Sequence, residues 1–361
     1  MKDRLFKNVD RTLLIVTIIL VLFGVVFITS AGIPNGVKNH GDEYYQIKAH
    51  IPLLLIGIVV MFIGMNLTRR QLQFWGVIGF FLSLIAVALL FTSLGRTEHG
   101  QVRSIVIPGI NKGFQPSEFI KVSSIIFFAS FLSMVRNKIE DSKTFIYALA
   151  IMGISAGPIL FKDFSTAAVI GATLFIMLFA SGMKNHQFVV VFAIAIVVAI
   201  LFVTKYGYRM DRFKGFFSDE MNKETYHQFQ SLYAMAVGGL FGVGLFHSRF
   251  KYNIFAAHSD FIIAVIAEEI GLFGVALVII LFVVFIYRGY TISYRAENYF
   301  DKLVALGITS YIGVQALFNI AVACKFMPAT GITLPFVSYG GTSIIVALGS
   351  VGILLGISKR G

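Results

Sequence analysis

Cysteine occurs once in the 361 residues, at Cys324. That excludes an internal disulfide and any metal site built from several cysteines, and Cys324 is expected to pack as a small apolar side chain. Charge is also scarce. Only 13% of the residues are Asp, Glu, Lys or Arg, against about a quarter in soluble domains. With 57% hydrophobic residues and a mean hydropathy of +0.83, a water-soluble core cannot hide the apolar surface. The chain has no phosphate loop, no G-x-S-x-G elbow and no H-E-x-x-H, so the commonest soluble catalytic motifs are absent. It has no internal repeat and no low-complexity linker, and its seven histidines are scattered.

Long apolar runs are abundant. A run of roughly 17–25 apolar residues crosses about 30 Å of hydrocarbon as a helix. Ten such spans are expected, near 12–32, 51–67, 74–94, 116–134, 144–160, 166–181, 188–204, 260–286, 303–324 and 341–357. The fold class is therefore an all-α polytopic membrane protein, with residues 1–361 as a single integral-membrane domain. The first run is longer than a signal-peptide core and no cleavage-site pattern follows it, so a retained helix is expected. An even number of spans places both termini on one side. With the N-terminus inside, the inner loops hold 15 Lys or Arg and the short outer loops 7, which favours cytoplasmic termini. The net charge of +12 is read through this bias, and no nucleic-acid partner is expected.

The stretch 205–259 is then a long extracytoplasmic segment. Within it "QSLYAMAVGGLFGVGLF" (230–246) is apolar but short and carries four glycines. If it crossed, every later loop would flip and Arg288, Arg295, Lys302, Lys359 and Arg360 would lie outside. It is expected to be interfacial or re-entrant, as backbone at membrane depth must be buried in protein or line a cavity.

In this orientation the polar motifs gather at the outer helix ends. In "FQPSEFIK" (114–121), Pro116 suits a first helical turn, Glu118 complements the helix dipole, and Lys121 follows at i+3. The plain reading is a helix cap with an ion pair. The functional reading is a polar pair lining a cavity, and the cost of an unpaired charge inside a span, about 3 kcal/mol, favours it. Asp260 in "AAHSDF" opens the eighth span, either as an interfacial helix start beside His258 and Ser259 or as a carboxylate facing a membrane-embedded substrate. Glu268 and Glu269 lie two turns deeper, about 12 Å, and are expected to be buried and hydrogen-bonded. Asp163 in "FKDFSTA" is expected to be structural, with Ser165 and Thr166 able to cap the next helix. "LPFVSYGGTS" (334–343) reads as a tightly turned or broken start to the last span, whose backbone, with Ser338, could line a groove.

These blocks, in this order, resemble the SEDS family of shape, elongation, division and sporulation proteins, the FtsW/RodA/SpoVE-like membrane proteins. "FQPSEFIK", "SLYAMAVGGLFGVGL", "HSDFIIAVIAEEIGLFG" and "TGITLPFVSYGGTS" carry the resemblance, which runs over nearly the whole chain. "YRMDRFKGFF" and "GLFGVGLFHSRFKY" resemble the division and sporulation branch more than the elongation branch. The resemblance implies ten helices, a peptidoglycan glycosyltransferase that polymerises lipid II into a growing glycan chain for division or shape, and a class B penicillin-binding protein as partner among divisome or elongation-complex membrane proteins. It places the family's essential aspartate at Asp260, its Glu and Lys at Glu118 and Lys121, and an arginine at Arg103. Val102 and Ser104 stand where the family has Lys and Trp, Phe255 and Ala256 where it has Pro-Glu, and Lys162 where it has Pro.

The implied reaction needs a base for a sugar hydroxyl and cations for a leaving pyrophosphate. Asp260 is the catalytic candidate. Arg103, Glu118, Lys121, Arg209, Arg212 and Ser338 are the substrate-binding candidates. No resident metal is assigned and the cofactor is unknown, although a divalent cation such as Mg or Mn could share the charge on the pyrophosphate. Two other classes fit the same residues: a flippase for the same lipid-linked precursor, and a non-catalytic scaffold that activates a penicillin-binding protein.

Overall fold

The computed structural model describes residues 9–98, 101–106, 113–205, 210, 214–217, 221–222 and 225–361. Its helices are α1 (Arg11–His40), α2 (Tyr45–Asn66), α3 (Arg69–Leu89), α4 (Pro116–Met134), α5 (Ser142–Leu160), α6 (Phe164–Ala180), α7 (Asn185–Lys205), α8 (Tyr226–Gly238), α9 (Ile262–Arg295), α10 (Tyr299–Ala323) and α11 (Gly341–Arg360). Among the described residues, nine of these are long and apolar enough to cross a membrane. The expected tenth span is α6, whose 17 residues reach about 25 Å and pack between α5 and α10. Between α3 and α4 the chain adds a small antiparallel sheet in the order β1 (Gly95–Glu98), β2 (Gln101–Val106) and β3 (Gly113–Phe114).

Several helices outrun the apolar runs that announce them. α9 continues to Arg295, where the Ala296 N–H still bonds the Ile292 carbonyl, although apolarity ends near 286. α1 reaches His40 and ends on left-handed Gly41. α3 is displaced from its expected bounds because Thr68 and Gln71 form a capping box that starts it at Arg69. Hydropathy marks the hydrocarbon layer, whereas caps and backbone hydrogen bonds set the helix ends.

Charge pairs lock one end of the bundle. Asp10 caps α1 through the Leu13 N–H and takes Arg288 of α9 at 2.5 Å, while its own N–H donates to Ser358 of α11. Asp301 in the first turn of α10 accepts Arg69 at 3.0 Å and Arg360 at 3.3 Å. The first and last described residues therefore lie at the same end, as an even number of spans requires.

Between α2 and α11 the backbones touch. A Cβ at Gly352 would stand 2.1 Å from the Met61 carbonyl oxygen, and one at Gly356 2.9 Å from that of Met65. Lipid provides no hydrophobic drive to join helices, so close backbone approach at small residues takes that role.

The segment 230–246 does not cross. α8 enters the bundle from the end opposite the termini, stops at Gly238, and the chain turns back along α9. It meets that helix at a break, where Gly271 adopts φ 78°, ψ −166°. The break releases two carbonyls and two N–H groups of α9, and the returning loop takes all four. Val243 and Gly244 donate to the Glu268 and Glu269 carbonyls, while Leu272 and Phe273 donate to those of Gly239 and Leu240. Gly242 has φ 77°, and a Cβ there would lie 2.2 Å from the Glu269 carbonyl oxygen, so the loop needs glycine for both conformation and space.

Candidate active site

The end of the bundle opposite the termini gathers the polar residues. Pro116 starts α4 and places Glu118 in its first turn. Lys121, one turn on, donates to Glu118 Oε1 at 2.8 Å and to Gln315 Oε1 of α10 at 2.7 Å. Its ammonium also sits 5.0 Å from the centre of the Tyr311 ring. The Lys121 and Glu118 side chains are only 3% and 6% exposed. They line a small cavity of about 20 Å³, room for about one water molecule, with Gln115, Thr166, Gln315 and Thr333. Among the described residues, Glu118 Oε2 and the Tyr311 hydroxyl are buried without a hydrogen-bond partner. Both elements of the sequence reading are present: a helix-start ion pair, and a cavity beside it.

Asp260 is half-buried in the turn that precedes α9. Neighbouring elements hold the backbone of that turn. The Asp260 N–H bonds the Ala256 carbonyl at 3.0 Å, and its own carbonyl accepts Asn319 Nδ2 at 3.0 Å. Ser338 donates to the Ser259 carbonyl at 2.5 Å, and the Tyr339 N–H to that of His258 at 2.9 Å. His227 Nδ1 of α8 accepts the Phe255 N–H at 3.2 Å.

α10 connects the two halves. Asn319 also donates to the Ile332 carbonyl at 2.7 Å, and Gln315 Nε2 donates to the Thr333 carbonyl at 3.0 Å. Gln315 and Asn319 are four residues apart, hence on one helix face. That face grips the 331–338 loop, touches Lys121 through Gln315, and holds the Asp260 turn through Asn319. Among the described residues, no group of three or more His, Cys, Asp or Glu gathers to hold a metal ion.

A second buried charge cluster lies deeper, where the re-entrant loop meets α9. Glu268 accepts the Ser248 hydroxyl and the Arg249 N–H, the latter at 2.7 Å. Glu269 accepts the hydroxyl of Ser30 from α1 and pairs with Lys251 at 3.6 Å. Lys251 also donates to Ser30 at 3.0 Å and to the Phe246 carbonyl at 2.9 Å.

The FtsW/RodA/SpoVE family model, described as "Cell cycle protein", matches residues 10–361. The chain belongs to the SEDS family. It is 34% identical over 355 residues to the "Probable peptidoglycan glycosyltransferase FtsW" of Trichlorobacter lovleyi, covering 97% of this chain and 93% of that protein. It is also 34% identical to Stage V sporulation protein E of Bacillus subtilis, over 97% of each chain. Among solved structures, a chain from work on the structural coordination of polymerization and crosslinking by a peptidoglycan synthase complex superposes with a TM-score of 0.79 at 23% identity, over 97% of each chain. The rod shape determining protein RodA of Thermus thermophilus gives 0.70 at 24% identity, over 97% of this chain and 96% of that one. These likenesses show the fold: an all-helical membrane protein of RodA type.

Within this SEDS fold the sequence candidates fare differently. Glu118 and Lys121 meet each other, and Gln315, which Lys121 contacts, shares its α10 face with Asn319, which holds the turn of Asp260. Ser338 is 4% exposed, and its hydroxyl is engaged by the Leu334 N–H and the Ser259 carbonyl, so it braces the Asp260 turn. Arg103 lies in β2, with its side chain outside the described residues, as are Arg209 and Arg212. Asp163 caps α6, accepting the Ser165 and Thr166 N–H groups at 3.1 Å each. Sequence reasoning missed Gln315, Asn319 and Lys251. The first two carried a signal: with Tyr311 they form an i, i+4, i+8 polar stripe inside an apolar run. Lys251 carried none, because Glu269 and Ser30, the side chains it meets in the cluster, lie 18 and 221 residues away.

Proposed function

We propose that the chain is a peptidoglycan glycosyltransferase that polymerises lipid II at the outer face of the cytoplasmic membrane, with Asp260 as general base. The observation that carries this reading is the shared grip of α10, which holds the turn of Asp260 and the cavity of Lys121 and Glu118 in one frame. Family membership and the names of the relatives support the reaction class.

In the reaction the 4-hydroxyl of one sugar attacks the anomeric carbon of a second. A C–O bond forms there as the bond to the lipid pyrophosphate breaks. A neutral hydroxyl is a poor nucleophile, and a carboxylate within hydrogen-bond reach takes its proton as attack proceeds. In this reading Asp260, half-buried at the mouth of α9, is that carboxylate. Charge builds on the leaving pyrophosphate and needs preorganised cations. Lys121 provides one, with Glu118 and Gln315 fixing its direction, and Arg103, Arg209 and Arg212 are the candidates for the rest. Holding two lipid-linked sugars side by side supplies further rate.

In this reading residues 1–361 form one membrane domain with cytoplasmic termini, and 205–259 faces outward, as the distribution of Lys and Arg favours. The partner is a class B penicillin-binding protein, in the division or elongation machinery.

Purified protein in detergent with lipid II tests the reading. Asp260→Asn should lower polymerisation on the order of 10²–10⁴-fold while the melting temperature holds. Asp260→Cys in a Cys324→Ser background should be inactive and react with an impermeant thiol reagent added outside intact cells. Near-normal polymerisation by Asp260→Asn removes the base. Labelling only after permeabilisation reverses the orientation. A folded wild-type protein that moves lipid II across vesicles without polymerising it is a flippase.

A further inference from the structure

The end of the bundle that carries the termini has a pocket of its own, of about 750 Å³, lined by Arg69, Arg70, Gln73, Ser133, Arg136 and Tyr299 among others. It lies where α3 begins, α4 ends and α10 begins. None of its lining residues is acidic, and Glu297 next to Asn298 is not among them. Asp301 beneath it is already shared between two guanidiniums, those of Arg69 and Arg360. Arg136 is laid over the Tyr299 ring at 4.4 Å. Arg70 and Arg136 are exposed, and neither has an ion-pair partner among the described residues. Three arginines thus face one concavity with no carboxylate in its wall. Their planar forks suit the oxygens of a phosphate.

Position selects the kind of phosphate. Gln73 on the pocket wall is followed by Phe74 and Trp75, 59% and 58% exposed on α3. Trp75 is the only tryptophan of the chain. Exposed aromatics at the start of a spanning helix mark headgroup level. Basic pockets between helix ends at that level suit anionic headgroups. We propose that this pocket binds the phosphate headgroup of an anionic phospholipid, through Arg70 and Arg136 with Arg69 held in place by Asp301.

The test reads lipid binding and is independent of polymerisation. Full-length protein in detergent is mixed with equal amounts of phosphatidylglycerol and phosphatidylcholine, and retained lipid is counted by native mass spectrometry. The wild type should keep phosphatidylglycerol in preference. Arg70→Gln with Arg136→Gln should weaken that retention on the order of tenfold, as expected for two charges near a membrane surface. Lys38→Gln with Lys48→Gln, at the opposite end, should leave it unchanged. Arg70→Gln alone, at an exposed side chain, gives the same test with a smaller drop should the double variant not fold. No lipid preference, equal loss in the lysine variant, or unchanged retention in the arginine variants would overturn the proposal. So would inorganic phosphate that raises the melting temperature as much as the lipid does, which would identify a soluble ligand.

Discussion

The two buried charge clusters use the same ingredients and differ in how they are held. Glu118 and Lys121 sit on one helix, three residues apart, with a neutral amide as third partner and a cavity beside them. Glu269 and Lys251 come from α9 and the re-entrant loop, and with Glu268 they are enclosed by backbone N–H groups, two serine hydroxyls and α1. The first cluster is built locally beside a small cavity, and among the described residues each cluster keeps one carboxylate oxygen, Glu118 Oε2 and Glu269 Oε2, buried without a hydrogen-bond partner. The second fastens three chain segments together at the break in α9. A buried ion pair is weak evidence for stability by itself, so location decides what each pair does. The shallow pair suits contact with substrate, and the deep one suits a joint.

Paired substitutions would break this comparison if it is wrong. The largest effect is expected at the shallow pair. Lys121→Met should lose lipid II binding and polymerisation together, by on the order of 10²-fold or more. Glu118→Gln should keep some binding and lower turnover. Combining the two removes the stranded carboxylate, so the double variant should recover its melting temperature and stay inactive. A double variant with normal activity would reduce the pair to a helix-start feature.

The deep pair should behave in the opposite way. Lys251→Met leaves Glu269 buried and uncompensated, a loss of about 3–5 kcal/mol in comparable buried pairs. Adding Glu269→Gln should restore most of the thermal stability and the activity with it. If the double variant were stable but inactive, the deep cluster would belong to the reaction as well.

The smallest effect is expected where the loop meets the Asp260 turn. Burial holds the His227 imidazole below its ordinary pKa of 6.5, and a backbone hydrogen bond involving Asn253 partly opposes that. The neutral ring accepts the Phe255 N–H. A lowered folded pKa means that this contribution is complete above pH 6.5 and is lost as pH falls below it toward the folded value. Amide exchange at Phe255, corrected for its intrinsic pH dependence, should therefore quicken modestly on acidification. His227→Ala should abolish the pH dependence, and persistence of it in that variant would assign the titration elsewhere.

Much of the molecule was determined by sequence alone. Apolar runs set the number of spans, because each must cross the hydrocarbon layer. Positive charge set the expected side of the termini, and the "FQPSEFIK" and "AAHSDF" blocks located the polar end. Local chemistry also foretold the Glu118–Lys121 pair and the cap at Asp163, since each is completed within one or two turns. What tertiary structure decided lies at longer range. The extension of α9 to Arg295 rests on hydrogen bonds that hydropathy does not register. The capture of Glu269 by Lys251 depends on a loop folded back onto the break at Gly271. The bracing of the Asp260 turn joins Asn319 to Asp260 and Ser338 to Ser259, pairs 59 and 79 positions apart. Periodicity reports which face of a helix is polar, but which other element meets that face is fixed only when the helices pack.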